Sequence, residues 1–176
     1  LSAKIGKELL LDGALKITRT RYDLIVLDCP PNLGTITLNA LCAADQLLIP
    51  CDMSVLALEG VGDILEAVDT LRSRLGRRLE ILGIVATRVD RRATRMNSDI
   101  EQSASDLYGN LLLKIRIPQN SALNKAHLVG KHIFDFAGNS PGAEAYADLA
   151  AELSGRLALE QPQRRKATVR TLHENV

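Results

Sequence analysis

Four short, largely apolar runs punctuate the chain: Leu24–Leu27, Leu47–Ile49, Ile81–Ala86 and Leu111–Ile117. They are continuous rather than alternating, the pattern of strands buried on both faces, as in a parallel sheet. Between them the spacing turns helical. Leu58, Val61, Leu65, Val68, Leu71 and Leu75 recur at three- and four-residue steps, while Glu59, Asp63, Glu66, Asp69, Arg72 and Arg74 fall mostly off that stripe. Residues 97–108 predict a more polar helix, and Ile5 to about Ile17 another ahead of the first apolar run. Ser140-Pro141 predicts a helix start: Ser is a good N-cap, and Pro is tolerated at the first helical position because its missing N–H would have no partner anyway. Tyr146, Leu149, Leu153 and Leu157 are expected to form that helix's buried face. Strand and helix in turn imply right-handed crossovers and an α/β, three-layer fold, a mostly parallel sheet with helices on both faces. No internal repeat is present. The pattern stops after Leu159, so residues 1–159 are read as one domain and 160–176 as a basic tail, expected to be mobile.

Composition narrows this only slightly. A chain of 176 residues can bury roughly 70% of the surface its unfolded form exposes. Aromatics make up only 3%, so Leu, Ile, Val and Ala must fill the core. The net charge of +1 hides a division: Arg156 to Val176 carries five basic and two acidic residues, the remainder 17 and 19. Cys29, Cys42 and Cys51 form no CxxC pair and have no His at ligand spacing, so they read as free thiols of a reducing cytosol, small hydrophobes in a core. No stretch approaches the roughly 20 apolar residues of a membrane span, and no signal peptide opens the chain. Residue 1 is Leu rather than Met, which suggests a start that has been cut off or a non-standard start codon.

Candidate chemistry sits where the strands end, because open α/β sheets bind ligands beyond the carboxyl ends of their strands. Asp28 ends the first apolar run, Pro50-Cys51-Asp52 the second, Thr87-Arg88-Val89-Asp90 the third and Pro118-Gln119-Asn120 the fourth. A carboxylate at a strand tip suits hydrated Mg²⁺, which keeps several waters and takes few protein ligands. It equally suits a helix cap or an ion pair with a nearby Lys or Arg.

The stretch YDLIVLDCPPNLGTITLNALCAADQLLIP at 22–50, with ALEGV at 57–61, resembles the ParA/MinD family of partition and positioning ATPases, and ParA more than MinD. GIVATRVDRRAT at 83–94, IPQN at 117–120 and SPGAEAYADLAAEL at 140–153 follow in the family's order, so the resemblance covers nearly everything from Tyr22 to Leu153. It implies a P-loop NTPase-like fold, here truncated at the amino terminus. It further implies that Asp28 is the Walker B-type carboxylate, catalytic and serving the magnesium shell or the attacking water. Cys29, Pro30 and Pro31 would be the loop that senses the γ-phosphate. Thr87 and Arg88 would line the adenine, and Pro118 would read the base through its backbone. The cofactors implied for the intact protein are ATP and Mg²⁺. The partners implied are a second copy in an ATP-dependent homodimer, DNA bound without sequence preference, and a centromere-binding ParB-like protein. No membrane partner is expected, and the implied location is cytoplasmic and nucleoid-associated.

Two departures qualify the resemblance. ParA-like enzymes cradle phosphate in a Gly-rich loop with a Lys, whose backbone N–H groups and helix end hold the anion. Here the only Gly-Lys pairs are Gly6-Lys7 and Gly130-Lys131, and neither has preceding glycines or a following Ser or Thr. Phosphoryl transfer rests almost wholly on that clamp, so these residues alone are expected to be inactive toward ATP. Secondly, Gln119 and Ala122 stand where the family usually has arginines that hold DNA, and Lys125 where an acidic residue is common. Arg91, Arg92, Arg95, Lys125 and Lys131 remain as DNA candidates, against the simpler reading of a solvated charged face. The alternatives are a MinD-like membrane-associated positioner and a non-enzymatic short form acting as an interaction module. The first needs an amphipathic carboxyl-terminal helix, for which Ala167, Val169, Leu172 and Val176 offer little apolar surface.

Overall fold

The computed structural model describes residues 7–90 and 95–158, with side chains of the second stretch from Ser98 onward. Three strands form one parallel sheet in the order β1 (Gln46–Asp52), β2 (Glu80–Val89) and β3 (Leu112–Pro118). The three later apolar runs therefore form the strands the sequence predicts. The helices are α1 (Leu10–Leu15), α2 (Thr35–Ala43), α3 (Val55–Leu75), α4 (Arg95–Tyr108), α5 (Ser121–Leu128), α6 (Ile133–Ala137) and α7 (Pro141–Arg156).

The period of two along each strand sorts the layers. Ile49, Cys51 and Ile84 face α3 and α4, meeting Leu58, Val61 and Ala104. Leu48, Val85, Leu113 and Ile117 face the other way, onto Ala145 and Leu149 of α7. Helices thus cover both faces of the sheet. A third cluster joins α2 to the second half of α3 through Leu41, Cys42, Val68, Leu71 and Leu79. Three of these side chains illustrate how dry the interior is: Val68, Leu79 and Ile84 have no accessible surface. Burying each contributes on the order of 2 kcal/mol.

Local signals set the helix ends. The Ser54 hydroxyl accepts from Ala57 N at 3.3 Å and starts α3, and Gly76, at φ 62°, ends it in the left-handed region that glycine adopts at no steric cost. The Ser140 hydroxyl accepts from Ala143 N at 3.2 Å and Pro141 follows it, as the sequence predicts for α7. The face of α7 differs from that expectation. Leu149 is buried and Leu153 half-buried, but Tyr146 is exposed and the smaller Ala145 faces the sheet instead. Ala145 packs there with Val85, Leu113, Ile117 and Leu149 in one close-packed cluster.

The first apolar run departs more sharply. Leu24–Leu27 is not a strand: residues 22–30 carry no sheet pairing, Leu24 is 50% exposed and Val26 79% exposed. A strand needs a neighbour for its backbone N–H and C=O groups, and none of the described strands takes this segment. β1 correspondingly remains an edge strand. The predicted helix ahead of it is broken into a short 3-10 turn (Lys7–Leu9), α1 and a second 3-10 turn (Thr18–Thr20). This region is held by Asp12, which pairs with Arg19 and Arg77 at 3.0 Å each, and by the Arg19 guanidinium donating to Ala43 O.

Candidate functional site

The carboxyl ends of the three strands lie side by side, with a register shift against β3 between Ala86 and Val89 of β2. Asp52 stands opposite Thr87, and Val89 opposite Pro118. The backbone of Gln119 donates to Val89 O at 3.0 Å, which ties the tips of β2 and β3 together beyond the ladder. On the other side, Arg88 reaches Asp52 with a 3.7 Å ion pair and so links the tips of β2 and β1. Arg88 has φ 53°, left-handed for a side-chain-bearing residue, and its side chain is 71% exposed. Backbone held in such a sparsely occupied region costs of order 1–3 kcal/mol and clusters at functional sites. Thr87 is half-buried just before it in β2, and Pro118 is buried.

Helices open directly from these tips. Ser54 N donates to Asp52 O at 2.8 Å, two residues before α3 gains its cap. The Asn120 side chain accepts from Ala122 N at 2.7 Å and starts α5 immediately after β3. The sequence-predicted residues Thr87, Arg88 and Pro118 are therefore brought together along one sheet edge.

Asp28 reaches its position differently. It follows the unpaired extended segment, is exposed, and has no ion-pair partner among the described residues. Cys29, Pro30 and Pro31 are exposed beside it. Their loop is closed onto the first turn of α2: the buried Thr37 hydroxyl donates to Asn32 O at 2.6 Å, Asn32 N donates to Pro30 O at 2.8 Å, and Gly34 N donates to Asn32 Oδ1 at 3.3 Å. Cys29 thus departs from the expectation of a buried hydrophobe, whereas Cys42 and Cys51 meet it. The loop's partial burial, and next the Asp28 charge, push the Cys29 thiol above its ordinary pKa.

No side-chain link joins the Asp28 loop to the Thr87–Arg88–Pro118 edge among the described residues. As for magnesium, no group of three His, Cys, Asp or Glu side chains able to hold a metal occurs among the described residues. Asp28 alone supplies the kind of single carboxylate that a hydrated Mg²⁺ accepts, but the ion's remaining ligands and a phosphate cradle are not in these residues. The donor set does not amount to a MgATP site, and no hydrolytic step follows from it.

Of the DNA candidates, Lys125 is exposed on α5, and Lys131 is exposed in the turn after it, where Lys131 N donates to Ala126 O at 2.9 Å. Arg91, Arg92 and the Arg95 side chain lie outside the described residues, as does the basic tail. Sequence reasoning passed over Asp52 as a site residue. Its signal was a second carboxylate at a strand end; in the sheet it pairs with Thr87, the residue before Arg88.

A family model described as an AAA domain matches residues 1–81. The sporulation initiation inhibitor protein Soj of Bacillus subtilis is 36% identical over 150 residues, 85% of this chain and 59% of that protein. The chromosome partitioning protein ParA of Myxococcus xanthus is 35% identical over 92% of this chain and 57% of its own length, and the chromosome-partitioning ATPase Soj of Thermus thermophilus 40% identical over 77% and 54%. The chain therefore spans little more than half the length of these relatives. Among solved structures, cobyrinic acid a,c-diamide synthase of Mycobacterium smegmatis, with bound ADP and magnesium, superposes with a TM-score of 0.67 at 30% identity, over 85% of this chain and 53% of that one. The septum site-determining protein MinD of Pyrococcus horikoshii, complexed with Mg-ADP, does so with 0.66 at 25% identity, over 87% and 60%. In sequence and in fold, the chain is similar to about half the length of the ParA/MinD family of partition ATPases.

Proposed function

We propose that these residues are the base-binding and carboxylate-bearing part of a ParA-like chromosome or plasmid partition ATPase. The observation that carries the reading is the braced sheet edge: Thr87 and Arg88 at the tip of β2 beside Pro118 at the tip of β3, with Arg88 in left-handed backbone and ion-paired to Asp52 at the tip of β1. Rigid backbone at strand tips forms a slot for a planar base with little conformational freedom left to lose. Asp28 would serve the magnesium shell or the attacking water, with Cys29, Pro30 and Pro31 sensing the γ-phosphate. A phosphate cradle would come from a Gly-rich, Lys-bearing segment outside these 176 residues.

With that segment joined, the protein would bind MgATP, dimerise on nucleotide and coat DNA through basic side chains such as Arg91, Arg92, Arg95, Lys125 and Lys131. A ParB-like partner bound at the centromere would stimulate hydrolysis and release. The place of action would be the cytoplasm, at the nucleoid; no described helix is long and apolar enough to cross a membrane. For the 176 residues by themselves, the missing Gly-rich loop favours a non-hydrolysing interaction module.

The test is to join the chain to a relative's segment carrying the Gly-rich loop and to measure ATP turnover. Turnover by the joined protein, lost by at least two orders of magnitude in Asp28→Ala, supports the reading, since such preorganised charges contribute about 10²–10³ in rate. Undiminished turnover in Asp28→Ala removes Asp28 from the mechanism.

A further inference from the structure

A shallow groove runs between α2 and α3 on the face of the sheet away from α7. It encloses about 400 Å³ and is lined by Leu38, Asp63, Glu66, Ala67, Thr70 and Leu71. Its floor is apolar, its rim carries two carboxylates, and no basic side chain lines it. Asp63 and Glu66 have no ion-pair partner among the described residues, unlike Asp69 on the next turn, which pairs with Arg72 at 3.1 Å. This chemistry fits a basic segment with apolar side chains interspersed.

The chain owns such a segment. Residues 160–176 carry Arg164, Arg165, Lys166 and Arg170, with Val169, Leu172 and Val176 spaced three and four apart. The helices that carry the two features are both anchored to the entry of β2. At the end of α7, Arg156 donates to Leu82 O at 2.9 Å; near the end of α3, Arg72 Nε donates to Leu79 O at 2.8 Å. The two anchor points, Leu79 O and Leu82 O, are roughly 10 Å apart along β2 at about 3.3 Å per strand residue, but α7 and α3 lie on opposite faces of the sheet, so the tail would reach the groove by passing round the sheet. The 18 residues from 159 to 176 span up to about 60 Å when extended, long enough to pass from one face of the sheet to the other.

We infer that the groove between α2 and α3 is the seat of the chain's own carboxyl-terminal tail. Arg164 and Arg165 or Lys166 meet Asp63 and Glu66, while Val169 and Leu172 cover Leu38, Ala67 and Leu71. A docked tail is withheld from polyanions, so occupancy of the groove governs whether its cations are free to contact phosphate. The groove lies apart from the strand-tip edge, and the inference does not depend on the nucleotide reading.

Limited trypsin digestion of the full chain tests this, with cleavage after Arg164, Arg165, Lys166 and Arg170 followed by mass spectrometry. At low salt the tail should be cut about five-fold more slowly than in Asp63→Lys/Glu66→Lys, the scale expected of two exposed ion pairs, and 0.5 M NaCl should erase the difference. Arg164→Glu/Arg165→Glu removes two of these cleavage sites, so that variant is read at Arg170, where combining it with the groove double variant should restore protection by exchanging the charges. Equal cleavage in all forms overturns the inference, as does protection that survives the groove substitutions. Protection that grows with protein concentration overturns it in favour of a second copy's tail.

Discussion

Arg88 offers a test of whether the sheet edge is braced as described. Two effects compete at this position. The left-handed backbone at φ 53° costs a residue with a Cβ about 1–2 kcal/mol, which glycine does not incur. Glycine in turn loses more backbone freedom on folding, about 0.5–1 kcal/mol relative to alanine. The ion pair to Asp52, at 3.7 Å between side chains 71% and 48% exposed, contributes only a few tenths of a kcal/mol after solvent screening. Arg88→Ala keeps the strain and loses the pair, so it should destabilise by a few tenths. Arg88→Gly loses the same pair but sheds the strain, and should come out roughly 0.5–1 kcal/mol more stable than Arg88→Ala. Urea unfolding of the three proteins, compared at equal m-value, resolves a difference of that size. An alanine variant as stable as the glycine variant would show that the backbone at residue 88 stores no strain, and the strand-tip argument would lose its main support.

Two further outcomes follow from the loop and from the amino-terminal region. Of the three thiols only Cys29 is exposed, so one cysteine per folded chain should react quickly with a thiol reagent; because the Asp28 charge helps hold its pKa up, Asp28→Asn should speed that reaction at pH 8, and an unchanged rate would separate the two side chains. Asp12 is held below the ordinary carboxylate range, first by its hydrogen bond to Arg77 and then by Arg19. A depressed folded pKa contributes stability above the unfolded value that is lost as pH falls through the folded one. Acid titration should therefore weaken the fold below the ordinary carboxylate range, and Asp12→Asn should be less stable at pH 7 but less sensitive to acid in that window. An identical pH slope in the two proteins would mean that the pairs to Arg19 and Arg77 are not formed in solution.

Much of the architecture was legible because burial on both faces writes a continuous apolar run. The stripe of α3 was legible because Leu58, Val61, Val68 and Leu71 are all buried on one side. Leu24–Leu27 reads like the others but is not a strand here, since hydrophobicity reports only a tendency to be buried, whereas a strand also needs a neighbour with free backbone groups. The short helices α5 and α6 left little periodic signal. Caps from Asn120 and His132 mark where they begin, and the contact of Ala126 with Ile133 and Ala143 holds them. At the site, strand ends located Thr87, Arg88 and Pro118, but neither the left-handed backbone of Arg88 nor its link to Asp52 can be read from residue types, because both depend on register.

The central claim is that Leu24–Asp28 belongs to a nucleotide site completed by a strand and a Gly-rich loop from outside these residues. Amide hydrogen exchange tests it most directly. In the 176-residue chain, the amides of Leu24 to Leu27 should exchange freely while those of Ile84 and Val85 are protected. Joined to a relative's segment carrying that strand and loop, Leu24 to Leu27 should gain protection comparable to β2. Protection of Leu24 to Leu27 in the chain alone, or none after joining, would contradict the account.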